Sequence, residues 1–219
     1  MITTRKALLS VLIFIVVYTL LLIPQINVNK AYAELFCKLG NYLYRDFPRG
    51  GYVKLSIQSD RGKNDIALFL SRADWIKERK LTGVTTDKAS DRIGYLITAF
   101  YVALVLSTPM SWKRKVVALV LGLVLMTAFV MLKVYIIILQ SYTLVDWFDL
   151  YQEPAEKEKI QFWYSHFAAP ATYGYSFAVI LWLALSIGKK EWKQLNALMV
   201  AKISVKKGNS TSKTLTQRN

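Results

Sequence analysis

Residues 116–139 read VVALVLGLVLMTAFVMLKVYIIIL, twenty-four positions with a single charge, Lys133. A run of that length covers the ~20 residues that a helix needs to cross about 30 Å of hydrocarbon. Three more apolar runs flank it: 7–24 (ALLSVLIFIVVYTLLLIP), 93–109 (IGYLITAFYVALVLSTP) and 167–187 (FAAPATYGYSFAVILWLALSI). Each lacks the polar stripe that a helix on the surface of a soluble bundle would show. The expectation is an all-α membrane protein, a four-transmembrane-helix bundle with a small outer-face segment.

Charge lies almost wholly outside these runs. The chain is 54% hydrophobic yet has a formal net charge of +15 over 219 residues. Arg5 and Lys6 precede the first run, Lys113, Arg114 and Lys115 sit in the turn before the third, and eight bases against one acid follow Gly188. The segment 141–166 is the reverse, with Asp146, Asp149, Glu153, Glu156 and Glu158 against Lys157 and Lys159. Short basic loops stay inside, so both termini are expected on the cytoplasmic side of the inner (plasma) membrane. The division is then 1–24, cytoplasmic start and first span; 25–92, outer segment; 93–187, three-helix core with the acidic outer loop; and 188–219, basic cytoplasmic tail. Ala31-Tyr32-Ala33 before Glu34 has the outline of a signal-peptidase site. The apolar run ahead of it exceeds the usual ~7–15 residues and ends well short of that site, so a retained first span is expected.

The partners that follow are the bilayer itself and, for the juxtamembrane tail, anionic lipid rather than nucleic acid. Trp147, Phe148, Tyr151, Phe162, Trp163 and Tyr164 are expected to form an aromatic belt at the outer interface, with Trp112 and Trp192 at the inner one.

Within 25–92, residues 32–47 (YAELFCKLGNYLYRDF) place Leu35, Phe36, Leu39, Tyr42 and Leu43 at helical spacing, which predicts an amphipathic interfacial helix. Pro48-Arg49-Gly50-Gly51 ends it. Two strands, 52–58 and 65–70, are predicted around the turn-rich 59–64, giving a β-hairpin. An isolated hairpin is marginal in water, so it must rest on something else.

One cysteine, Cys37, and one histidine, His166, rule out a disulfide framework and a His or Cys metal cluster, and nothing in the chain asks for a cofactor. Cys37 reads as a small apolar residue of the interfacial helix, or as a thiol needing a nearby positive field to become reactive. Lys133 either faces the bundle interior or extends its ammonium to the outer headgroups. Arg92 opens the second span and His166 precedes the fourth, at the level of Lys133. The three are expected to line one outward-facing site if their helices are neighbours.

The order of features in 90–187 also resembles the exosortase and archaeosortase group of membrane proteins. A span is followed by Trp112-Lys113-Arg114-Lys115, then by a Leu/Val/Gly-rich span ending in Val130-Met131-Leu132-Lys133-Val134, then by a His-bearing outer loop and the last span. The resemblance implies processing or anchoring of exported proteins with a C-terminal sorting signal, by a Cys, an Arg and a His at the outer face. Residues 88–97 read KASDRIGYLI, without the expected cysteine, and Lys133 stands where that group has arginine. A lysine lacks the bidentate fork of arginine. The implied function is therefore a non-catalytic accessory protein that binds an exported client or an exosortase-like partner. The alternative is a divergent membrane peptidase or transpeptidase built on His166, Lys133, Arg92 and either Ser90 or Cys37.

Overall fold

The computed structural model describes residues 4–23, 28–60, 63–78, 82–88, 94–148 and 150–186. It is mostly helical with one small antiparallel sheet. Helix α1 (Thr4–Leu22) is followed by α2 (Val28–Tyr44), the short β1 (Asp46–Phe47) and a tight turn at Pro48–Gly50. Strands β2 (Gly51–Asp60) and β3 (Lys63–Arg72), the single turn α3 (Ala73–Lys77) and β4 (Val84–Lys88) follow. Then come α4 (Leu96–Ser107), α5 (Trp112–Thr143), α6 (Pro154–Trp163), a π-helical turn (Tyr164–Ala168) and α7 (Thr172–Ser186).

The apolar runs do not all yield full spans. Among the described residues α5 is long and apolar enough to cross a membrane; α6 with its π turn and α7 qualify as a second span only if taken together across a 58° bend. Pro170 explains the break, since its ring and missing N–H cannot continue the turn before it. The run 93–109 gives a helix of 12 residues because Pro109 turns the chain at Thr108. At 1.5 Å per residue that is about 18 Å. The expected four-span bundle is thus reduced to one long apolar helix, one bent pair and two shorter apolar helices.

Helices α4, α5 and α7 share a core of Ile97, Tyr101, Val105, Met126, Ala178 and Leu181. Tyr101 donates its hydroxyl to the Ala118 carbonyl at 2.7 Å, where Gly122 leaves room for the ring. Helix α1 leans on α4 through Phe14 and Tyr18, both edge-on to Phe100. At the other end, Lys115 donates to Leu106 O and Arg114 to Ser186 O, so two of the three cations predicted for this turn cap the ends of α4 and α7.

The predicted hairpin is present and longer than expected. Its ladder runs from Gly51↔Arg72 to Asp60↔Lys63. The support it needed comes partly from two strands the sequence did not announce: β1 joins β2, and β4 joins β3 over Leu70↔Val84 to Ile66↔Lys88. The rest comes from α2, which covers the face carrying Val53, Leu55, Ile66, Leu68 and Leu70. Asn41 fixes that contact by bonding both the N–H and the C=O of Leu55, at 2.7 and 2.8 Å.

The orientation of α2 differs from the amphipathic reading. Its buried face is Ala33, Phe36, Cys37, Gly40 and Tyr44, while Leu35, Tyr42 and Leu43 are exposed. The sheet packs against the small residues because Gly40 lets Leu55 approach closely. The leucines therefore form a second, outward apolar flank. The aromatic belt divides similarly: Trp147, Phe162 and Trp163 are exposed, whereas Phe148 and Tyr151 are buried in the core beneath the sheet.

Candidate functional site: the junction of sheet, α5 and α6

Helix α5 has 32 residues, about 48 Å, so it outruns a bilayer's ~30 Å hydrocarbon by several turns. Its last turns run against the sheet. Tyr142 is fully buried there, and its hydroxyl proton is shared between Tyr52 O (2.9 Å) and Ser71 O (3.0 Å) on adjacent strands. Gly51 makes this possible, since a Cβ there would sit 3.0 Å from the same oxygen. Lower down, Tyr44 of α2 donates to Met131 O of α5 at 2.6 Å. Two tyrosines thus key the sheet and α2 onto one helix.

Lys133 is 6% exposed, and its ammonium donates to Pro170 O at 3.2 Å. In an unbroken helix that carbonyl would receive the N–H of Gly174, which instead bonds Ala171 O at 3.0 Å. The lysine satisfies an acceptor released by the helix break. Lys133 lies six positions before Leu139, about 9 Å from the end of the apolar run 116–139.

His166 is on the π turn and exposed. Its Nδ1 is 2.9 Å from Phe162 O and 3.0 Å from Ser165 Oγ, and its ring stacks on Phe162 at 4.3 Å. Ser165 donates to Gln161 O at 2.8 Å, and the contacts of His166 Nδ1 stay within its own turn.

Cys37 is 7% exposed, on the α2 face that packs with Val130, Met131 and Val134 of α5. Burial pushes its thiol up to about 11, away from thiolate chemistry. Val130, Met131 and Val134 share one apolar cluster with Cys37, while the Lys133 ammonium turns to Pro170 of the last apolar segment. The structure brings Lys133 and His166 to the two ends of the π-turn break and leaves Cys37 elsewhere. Ser90 and Arg92 lie outside the described residues. Among the described residues no three His, Cys, Asp or Glu side chains come together to hold a metal ion.

Nothing in the residue pattern announces how α6 is held. None of its residues is buried. Polar links tie it down: Arg49 pairs with both oxygens of Glu156 at 2.6 Å, Lys157 reaches Asp146 at 3.3 Å, and Gln140 donates to Gln161 at 2.7 Å. The Arg49 guanidinium also lies 4.7 Å over the Tyr151 ring, and Tyr151 donates to Pro48 O at 3.3 Å. Both Arg49 (φ 62°) and Tyr151 (φ 59°) have left-handed backbones, a conformation that side chains with a Cβ avoid unless the surroundings impose it. The Arg49 pairing holds the Glu156 carboxyl below the usual glutamate range.

Beneath these links lies a cavity of about 240 Å³, lined by Leu70 and Val84 of the sheet, Ile137, Gln140 and Leu144 of α5 and its continuation, and Tyr164. The expected acidic loop 141–166 begins as the last three residues of α5 and then carries α6 and most of the π turn. Comparison with protein-family models, with curated proteins and with solved structures finds no match to this chain.

Proposed function

We propose that this chain is an integral membrane protein that spans the inner membrane four times, through α1, α4, α5 and α7, and presents its sheet and α6 at the outer face as a non-catalytic docking module. The broad apolar surfaces of α1 (Leu8, Leu12, Ile15) and α5 (Val117, Val120, Val124) support the membrane placement, because water would not tolerate them side by side. The short α4 fits among three longer neighbours, and the cations at 113–115 favour a cytoplasmic position for the turn before α5. On this reading the tail 188–219 meets anionic lipid.

The system served is a protein-sorting one of exosortase-like kind, with an exported polypeptide or a membrane partner as the bound molecule. The observation that carries the non-catalytic reading is the separation of the reactive groups. Cys37 is buried among apolar side chains of α2 and α5, the Lys133 ammonium is engaged by Pro170, and the hydrogen bonds of His166 stay within its own turn. A peptidase needs nucleophile, base and anion-stabilising donor around one reacting carbon.

The test is processing of exported proteins in the native host by Cys37→Ala and His166→Ala chains, with membrane abundance measured alongside. Normal processing supports an accessory role. Lost processing at normal abundance would overturn it in favour of a peptidase.

A further inference from the structure

Three features meet beside β4. The strand is the last in the order β1-β2-β3-β4; β3 occupies one of its edges, and among the described residues no strand pairs with the other. The opposite end of the sheet is blunt, since β1 has two residues and runs straight into the Pro48–Gly50 turn. Val84 of β4 then forms part of the cavity wall with Leu70, Ile137 and Leu144, all apolar. Gln140 of the same wall is 93% buried, being 7% exposed; its Nε2 is committed to Gln161 while its Oε1 has no donor. A buried acceptor without a donor is costly, and its presence in a cavity wall points to a donor supplied from outside.

We propose that the β4 edge and this cavity together bind an extended polypeptide, which adds as a fifth strand, seats one apolar side chain against Leu70 and Val84, and donates an N–H to Gln140. The inference rests on the docking-module reading above and names the chemistry of the docked segment. The size of the cavity favours a side chain over a free small molecule: about 240 Å³ lies below the range of roughly 300–1,000 Å³ typical of small-ligand pockets. Strand addition supplies affinity through backbone bonds and selectivity through alternate side chains, and only alternate residues of the added strand face the cavity. The π turn after α6 adds Tyr164 to the wall, and Gln161 of α6 holds the Gln140 amide beside it.

The experiment uses the full chain in lipid nanodiscs and, as probe, a capped five-residue peptide alternating threonine and leucine. Amide exchange is followed over 84–88. Alternate β4 amides should slow by about tenfold at saturating peptide, and a peptide with proline at alternate positions should have no effect. Gln140→Leu and Val84→Trp should each weaken binding by about tenfold or more. Unchanged exchange with the threonine–leucine peptide overturns the inference, as does equal protection in both variants. In cells, a photoreactive residue at Leu144 should capture a polypeptide, and Val84→Trp should abolish that capture; a captured mass below that of a peptide overturns the class proposed. Capture at exposed Trp147 but not at Leu144 would leave the docking module standing without this site. Capture at neither would remove both.

Discussion

Lys133 and Pro170 meet where the last apolar segment breaks, the lysine ammonium 3.2 Å from the proline carbonyl. The contact links the one unbroken long helix to the bent one. It also accounts for a charge within an otherwise apolar stretch without invoking catalysis. A Lys133→Met chain keeps the volume and leaves Pro170 O without its donor, a loss of about 1–3 kcal/mol. The thermal midpoint in nanodiscs should fall, and the first amides of α7 should exchange faster. An unchanged midpoint would mean that the ammonium is satisfied by headgroups instead.

The Tyr142 hydroxyl is the single proton between two strand carbonyls. Tyr142→Phe should therefore loosen the sheet on α5 while leaving the α4–α5–α7 core intact, again at about 1–3 kcal/mol. Limited proteolysis within 51–72 should accelerate in the variant, with protection of α5 below Met131 unchanged.

The Arg49–Glu156 pair makes α6 sensitive to acid. The folded-state pKa of Glu156 is depressed by Arg49, so the stabilisation from the pair is present above the unfolded glutamate range and is lost as pH falls through the lower folded value. Exchange across 154–163 should rise at acid pH in the native chain. In Glu156→Gln it should already be raised at neutral pH, with a flatter pH dependence. An acid response of equal size in the variant would assign it to another carboxylate.

Cys37 should be unreactive in the folded protein. With the thiol pushed up to about 11, roughly 0.03% is thiolate near pH 7.5, and the surrounding packing excludes reagent besides. A maleimide should label it only after denaturation. Rapid labelling in native membranes would restore it as a candidate nucleophile.

Gly122 sets the approach of α4 to α5, because a side chain there would run into the Tyr101 ring. Gly122→Leu should separate the two helices and cost about 1–3 kcal/mol by overpacking. Tyr101→Phe loses the bond to Ala118 O but keeps the packing, and should cost less. If both variants behave alike, the two helices are not in contact in the membrane.

Composition and periodicity alone determined the helical character of α1, α4, α5 and α7, the existence of the β2–β3 hairpin and the break at Pro48–Gly51. These are local properties: apolar runs, proline and glycine positions, and alternation along a strand act over a few residues. What the tertiary structure decided depends on approach between distant segments. Whether Leu35 or Cys37 faced inward on α2 was set by Gly40 meeting Leu55, a choice the apolar spacing of that helix leaves open. β4 (VTTDK) has the threonines of a strand but no alternation of apolar residues, so only pairing with β3 defines it. The extension of α5 to Thr143 depends on Tyr142 finding two strand carbonyls to bond, and Lys133 takes its partner from the break before α7 rather than from α2. A polar residue near a membrane boundary has its partner chosen by whichever backbone group the fold leaves unpaired, and that group is created by packing.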